Sequence, residues 1–567
     1  ARHFSLGRPP TDQYDSARDF DGHGSHTLST AGGRPVAGAS FYGVANGTAT
    51  GGSPGARVAA YKVCTDLGCY DADILAGFDA AIHDRVDLLS VSLGGSTLDY
   101  LSNPIAIGSF HAVAAGIPVV CSAGNDGPMQ YTVSNVAPWI LTVAAGSTGR
   151  RFVSRLSLGN KQHVQGWSLA SKRLSVKKLY LMIDSAKARA SNATAETARL
   201  CYFGSLDPEK VKGKIVVCLR GDTARMDKAQ EVSRAGGAGM ILANTAEDGD
   251  DLYADAFMIP AAHVSYKGAT VIYSYLNSTK SAVGYIGAPK AHYGLKPAPF
   301  VAPFSSRGPN YITPQILKPD VLAPGVDILA AYSQGIPPTE NEYDSRRAAF
   351  NLLSGTSMAC PHVSGVVGLL KTLYPHWSPA ALRSAIMTTA TTRDNTRKAI
   401  KDSFMNKATA LDYGSGHLHP NRAMDPGLVY DLTVHDYLNF LCALGYNSTQ
   451  MAAFADGGFV CPSRHFNIQH LNYPSIMVFN LSRTTTVRRT LKNVGTPGTY
   501  TVHVKPPKGI SVSVKPETLK FERVGEEKTF KITLAKQGNA VKDYVFGQLK
   551  WSDGKHDVRS PLVAKAV

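Results

Sequence analysis

No run of about eighteen apolar residues occurs anywhere in the 567-residue chain, and such a run is what a membrane-spanning helix requires. Charged residues make up only 18% of the sequence, well below the level of highly charged disordered chains, and apolar residues make up 44%. The composition is that of a globular protein too long for one ordinary domain, so two to four units are expected. Acidic residues are the scarcer charges, 43 against 59 Lys and Arg, which leaves a net +16. That balance raises an acidic partner such as nucleic acid or wall polysaccharide. The basic residues are scattered, however, with a modest cluster only at Lys172–Lys187, and a solvated basic surface is expected instead. Eight cysteines and Asn-x-Ser/Thr sequons at Asn46, Asn192, Asn277, Asn447 and Asn480 point to an oxidising, secretory history.

The most informative stretch is Asn351–His362, NLLSGTSMACPH, followed by a small-residue apolar run, Val363–Leu370, that reads as a helix. It sets Ser357 at a helix start, where free backbone N–H groups favour developing negative charge. This placement suits a nucleophile whose attack creates an oxyanion, although a capping serine would also read this way. Two further segments precede it: Asp21–Thr27, DGHGSHT, and Val119–Pro128, VVCSAGNDGP, a short strand running into a turn that carries Asn125.

These three segments, in this order, resemble the catalytic-histidine, oxyanion-asparagine and catalytic-serine motifs of subtilisin-type serine proteases. FSSRGPN (Phe304–Asn310) and ILKPDVLAPGVDILAAY (Ile316–Tyr332) resemble the plant branch of that family, the subtilases related to cucumisin. The resemblance implies that Ser357 is the nucleophile, His23 its general base and Asn125 an oxyanion donor alongside the Ser357 amide. It implies no cofactor and no metal. From the residues alone His23 and His26 also read as a metal pair, but a third ligand at convincing spacing is lacking. His26 is expected to pack or hydrogen-bond locally, and Asn125-Asp126-Gly127 also satisfies a plain turn. Ser92, Leu93 and Gly94 resemble the strand edge that pairs with substrate backbone, with Ala123 and Gly124 beside it; a plain strand end fits Ser92–Gly94 almost as well. Cys121 and Cys360 flank these motifs in apolar runs and read as inert thiols. Pro361 is tolerated only near a helix start.

One family element is absent from the sequence. Subtilisin-type enzymes use Asp, His and Ser in that chain order, and the family's aspartate sits in an Asp-Thr-Gly or Asp-Ser-Gly tripeptide well before the histidine. No such tripeptide occurs here, and Asp12, Asp15, Asp19 and Asp21 lie in a loop-like context. Ala1 opens a polar stretch with no apolar leader core. The chain is therefore expected to be an N-terminally truncated plant subtilase, impaired on its own; a catalytically inactive protein that binds peptides or partners is the alternative.

The organisation follows. Strand-like Arg57–Val63, helix-like Asp73–His83, strand-like Val86–Leu93, helix-like Pro104–Ala115 and the strand IPVVCS alternate as in an α/β parallel sheet with helices on both faces. This subtilisin-like catalytic domain is expected over 1–164 and 290–430. The resemblance implies a protease-associated domain inserted at 165–289, a linker at 431–467 and a fibronectin type III-like β-sandwich at 468–567. Asp553-Gly554 is a hairpin signal within that sandwich. Disulfides are expected at Cys64–Cys69, Cys201–Cys218 and Cys442–Cys461, with Cys121 and Cys360 free. Protein or peptide substrates are the expected partners, with no nucleic acid, no membrane, and self-association through the inserted domain. The expected location is extracellular.

Overall fold

The computed structural model describes residues 2–4, 16–65, 68–95, 99–176, 178–455, 459–463, 466–538 and 543–566. Asp12 and Asp15 lie outside the described residues. The site rests on a four-stranded parallel sheet ordered Val321–Pro324, Leu141–Gly146, Val119–Ser122 and Leu89–Val91. Its two central strands are buried almost throughout, as continuous apolar runs in a covered parallel sheet should be. The helix Thr356–Leu373 packs on this sheet, and Pro379–Thr389 follows it, capped by the Ser378 hydroxyl on the Ala381 amide. Helices Asp71–His83 and Pro104–Ala114 pack on each other through Gly108, where a Cβ would lie 2.4 Å from the Phe78 ring.

Two strands are shorter than their apolar runs. Of Arg57–Val63 only Tyr61–Lys62 forms a strand, paired with Arg2–His3, and Arg57–Ala59 are exposed. Of Val86–Leu93 only Leu89–Val91 is strand, at the sheet edge and half-buried, because among the described residues it has one neighbour to pair with.

Residues 150–293 build a second sheet of eight strands with its own apolar interior. Arg150–Leu158 pairs with both His163–Trp167 and Val283–Ile286 and so closes seven of the strands into a ring, to which Lys290–Tyr293 adds an outer strand. This sheet overruns the 165–289 span read from the sequence at both ends. Arg150–Leu158 alternates buried and open positions, and its two edges are filled only inside this sheet. Cys201–Cys218 ties it internally, with a Cα separation of 5.8 Å. Cys64–Cys69 and Cys442–Cys461 also form, at 4.2 and 5.6 Å, while Cys121 and Cys360 are free and buried.

The C-terminal unit packs two antiparallel-rich sheets around Trp551, which meets Phe530 edge-on at 5.0 Å. The Asp553-Gly554 turn joins Tyr544–Ser552 to Asp557–Ala566, with Gly554 at φ 90° where a side chain would be strained. A buried polar cluster couples this unit to the central sheet. The Lys318 ammonium donates to Ile140 O, Thr142 Oγ1 and Asp320 Oδ2 at 2.8, 2.9 and 2.6 Å, and Tyr473 Oη donates to Asp320 Oδ1 at 2.5 Å. Lys318 and Asp320 are fully buried, and burial pulls the lysine down to about 8 even though the Asp320 carboxylate opposes this.

Removing one partner of a buried ion pair strands the other. Lys318→Met is expected to destabilise the protein by about 3–5 kcal/mol. Tyr473→Phe, which removes a single hydrogen bond, is expected to lower stability by about 1–3 kcal/mol. Urea unfolding of the two variants beside the parent measures both; equal, small losses would show that the cluster does not couple the units.

Candidate functional site

His23 opens a ten-residue helix, His23–Gly32. The chain enters it through Gly22 at φ 91°, where a Cβ would lie 2.3 Å from the Tyr332 ring, so this entry needs glycine. Asp19 caps the helix: its carboxylate accepts from the amides of Asp21, Gly22 and Ser25 at 3.0, 2.7 and 2.7 Å. Burial works against the Asp19 anion, but the Ser25 hydroxyl and these amides outweigh it and hold the carboxyl below its usual value. The capping role commits Asp19 to the backbone. Burial lowers the His23 imidazole, and the charges of Asp21 and Asp19 offset only part of that. Among the described residues no carboxylate is hydrogen-bonded to the His23 ring.

His26 packs in the interior, one of the two outcomes read from the sequence, but its ring hydrogen bonds reach distant segments rather than local ones. It is fully buried, and its Nε2 contacts Ile328 O at 2.8 Å and Asn351 O at 3.2 Å. Both partners are carbonyls, so Nε2 carries the proton and donates, while Nδ1 has no partner among the described residues. Ile328 and Asn351 belong to the antiparallel pair Ile328–Ala331 and Phe350–Leu353, the second of which leads directly to Ser357. One imidazole thus ties the His23 helix to the strand that delivers the serine. Burial takes His26 down to about 4, against the pull of its two carbonyls.

Ser357 is the second residue of its helix, partly exposed between buried Thr356 and Met358. Its Oγ donates to Ser92 O at 3.4 Å; among the described residues no hydrogen bond joins it to His23. Ser92 Oγ donates back to Ser357 O at 2.8 Å. Pro361, the sixth residue of the eighteen-residue helix, lacks the N–H that would otherwise occupy the Ser357 carbonyl. The carbonyl is therefore open to Ser92, and the nucleophile candidate is clamped to the sheet edge. The His23 helix reaches this helix because Gly365 has no side chain: a Cβ there would sit 3.0 Å from Ala31 O in the His23 helix and 2.7 Å from Gly52 Cα, in the segment whose amide donates to Thr30 O.

Asn125 lies beside Ser357. Its Oδ1 accepts from Thr356 N and Thr356 Oγ1, both at 2.9 Å, which fixes the amide and turns Nδ2 the other way. A Cβ on Gly355 would lie 3.6 Å from Ser357 N and 3.7 Å from Asn125 Nδ2, so both donors border the space this glycine leaves open. Ala123 and Gly124 are held from below: Ser134 N donates to Ala123 O at 2.9 Å, and Ser306 N to Gly124 O at 3.0 Å. Ser306 Oγ also accepts from Asp126 N at 3.0 Å. Leu93 O accepts from Asn135 Nδ2 and Ser122 Oγ at 2.7 and 3.2 Å, while Gly94 and Gly95 are exposed. A cavity of about 210 Å³ opens along Leu93–Gly95, lined also by Ile74, Tyr100 and Ser134.

Sequence reasoning missed Thr356, Ser306, Pro361 and the Ser92 hydroxyl as positioning groups. Thr356 had a local signal, since it immediately precedes Ser357. Pro361 also had one, since it stands four residues after Ser357 in the same helix; Ser306 and the Ser92 hydroxyl depend on how distant segments meet and left none. Cys360 packs its sulfur 3.3 Å from Val120 O, and burial raises the thiol, consistent with an inert group.

The subtilase family's sequence model matches residues 2–415, and a fibronectin type-III domain matches residues 470–564. Subtilisin-like protease SBT5.3 of Arabidopsis thaliana is 54% identical over 576 residues, spanning 100% of this chain and 75% of the relative. SBT5.4 of the same plant is 55% identical over 575 residues, covering 100% and 74%. SBT1.7 is 48% identical over 553 residues, covering 96% and 72%.

The His26 geometry has a pH consequence. Its folded value, about 4, lies below the unfolded 6.5, so on acidification the unfolded chain takes up the proton first. The stability tied to neutral His26 is complete above pH 6.5 and is lost as pH falls toward 4, an effect of about 3 kcal/mol. His263 and His417 are also lowered to about 4 and act in the same window. Burial is the leading cause at both, and at His417 the Leu418 carbonyl opposes it. His26→Gln keeps a donor for the two carbonyls but cannot titrate, so its stability is expected to fall less steeply between about pH 6.5 and 4. Urea midpoints taken across that window test this; parallel curves for parent and variant would refute the assignment.

Proposed function

The chain belongs to the subtilase family, and on that premise we propose that it is a serine endopeptidase in which Ser357 attacks the scissile carbonyl of a protein substrate. His23 takes the Ser357 proton as general base and returns it to the leaving amine. Asn125 Nδ2 and the Ser357 amide hold the oxyanion. The observation that carries this reading is the placement of those two donors around the space at Gly355, with Asn125 turned by Thr356 so that its Oδ1 is occupied. Donors fixed before the reaction stabilise developing charge without reorganising, and loss of one in subtilisin costs about 2.7–4 kcal/mol.

Ser92, Leu93 and Gly94 form the edge along which substrate backbone pairs, with Gly124 as the facing wall; Ala123, fully buried and bonded to Val143 and Ser134, supports Gly124 from behind. Leu93 O is already bonded within the protein, which leaves the exposed Gly94 backbone as the pairing position. The inserted unit is a protease-associated domain through which chains self-associate, and the protein works outside the cell. The three disulfides are compatible with that location.

One observation favours a second reading, a peptide-binding protein without turnover: the His23 ring has no carboxylate partner among the described residues. In subtilisin the aspartate holds the histidine tautomer and stabilises the imidazolium, and its loss alone lowers kcat about 3 × 10⁴-fold. A polypeptide of these 567 residues by itself is therefore expected to be nearly inactive. The test compares peptide hydrolysis by this chain with hydrolysis by the same chain extended upstream by a family segment bearing the aspartate, each beside its Ser357→Ala variant. The expected result is Ser357-dependent turnover that rises by several orders of magnitude with the extension. Equal turnover in both forms would show that another residue does the aspartate's work, and no turnover in either would leave the binding reading standing.

A further inference from the structure

The C-terminal hundred residues, 468–567, hold seventeen Lys and Arg against seven Asp and Glu, so this segment carries +10 of the chain's net +16. Strand register concentrates part of that charge. Arg488 in Thr484–Asn493 lies directly opposite Lys531 in Glu527–Lys536, and Lys531 lies directly opposite Lys515 in Ile510–Lys515. Directly paired residues share a face, and all three are exposed. They form a straight cationic row across three strands, roughly 10 Å from end to end. Among the described residues none of the three is in a salt bridge. Like charges directly opposite one another destabilise a sheet, so the row works against the fold that carries it. Protection of a sheet edge does not account for it, because Lys531 lies on a strand paired on both sides.

The rest of that face narrows the occupant. Thr486 lies opposite Thr533, which lies opposite Ser513, and Thr490 lies opposite Thr529. The hydroxyls of Thr486 and Thr533, and of Thr490 and Thr529, are hydrogen-bonded at 2.9 Å. Acid enters only at the far end, where Glu527 faces Lys492. The outward positions of these three strands include no aromatic side chain on which a base would stack and no large apolar side chain to enter a bilayer. A flat face of hydroxyls crossed by cations matches a chain that presents its own hydroxyls and carboxylates.

We propose that this face binds an anionic polysaccharide, with Arg488, Lys531 and Lys515 contacting successive carboxylates of a uronic acid polymer. The surface is independent of the Ser357 site, so the proposal does not depend on peptidase activity. The test uses the full chain and polygalacturonate as the probe, with binding measured over a range of salt. The parent is expected to bind at low salt and to release as salt rises. The triple variant R488Q/K515Q/K531Q is expected to lose at least about tenfold in affinity. A charge-matched control at exposed lysines of the eight-stranded unit, K212Q/K267Q/K280Q, is expected to bind like the parent.

Equal losses in the two triple variants would reduce the effect to net charge and overturn the proposal. So would tighter binding of the parent to single-stranded DNA or to phosphatidylserine vesicles than to polygalacturonate, or no binding to polygalacturonate at all. Removing the row relieves like-charge repulsion, so the unfolding midpoint of R488Q/K515Q/K531Q should equal or exceed the parent's. A lower midpoint would give the row a structural role and overturn the proposal as well.

Discussion

The approach of Ala31, and of Gly52, whose amide is bonded to Thr30 O, to Gly365 governs how near the His23 helix comes to the Ser357 helix. A Cβ built on Gly365 would fall 2.7 Å from Gly52 Cα, and one built on Gly52 would fall 3.1 Å from Gly365 Cα. A Cβ 2.7 Å from backbone forces a shift, so a larger residue at Gly365 would push the two helices apart, while one at Gly52 would meet a tight contact. His26 completes the constraint from the buried side by donating to Ile328 and Asn351, carbonyls on the strand pair that leads to Ser357. The packing fixes the distance between the helices, and the hydrogen bonds fix which segment faces the histidine. Ser92 adds a third tie, made possible because Pro361 leaves the Ser357 carbonyl unoccupied. Each tie ends on backbone, and the Ser357 amide, one of the two proposed oxyanion donors, is backbone as well.

The same logic runs outward to the C-terminal unit. Asp320 immediately precedes the strand Val321–Pro324 at one edge of the central sheet, and its carboxylate is shared by Lys318, the Thr142 amide and Tyr473. Arg489 reinforces the junction by donating to the carbonyls of Gln469, Tyr473 and Ser475. Buried charge of this kind contributes little net stability, but it penalises any arrangement in which a partner is missing. The junction therefore specifies how the sandwich sits on the central sheet more than it strengthens the contact.

Much of the site is legible in the sequence where the signal is local. The Ser357 helix, the Asn125 turn and the three disulfides each follow from residues within a short window or from motif resemblance. What is not legible depends on partners distant in sequence. His26 reads as a residue that packs or bonds locally, and it does pack, but nothing near it in sequence shows that the Ile328 and Asn351 carbonyls lie within reach. Arg57–Val63 carries a strand-like apolar pattern, but a strand needs a neighbour, and among the described residues only Tyr61–Lys62 has one. Arg150–Leu158 reads as part of the first catalytic segment because its pattern suits any two-sided strand; only its pairing places it in the eight-stranded unit. The cationic row on the sandwich is hidden for the same reason. In sequence Arg488, Lys515 and Lys531 are scattered, and strand register alone aligns them.

The central claim is that packing and buried hydrogen bonds place Ser357 as the single activated serine of this fold. The most direct measurement is covalent labelling by a serine-reactive phosphonate, mapped by peptide mass spectrometry on the chain extended with an aspartate-bearing upstream segment. The account predicts one label per chain, on Ser357, abolished by prior denaturation. Labelling of a different residue, or peptide hydrolysis that persists while Ser357 stays unmodified, would contradict it.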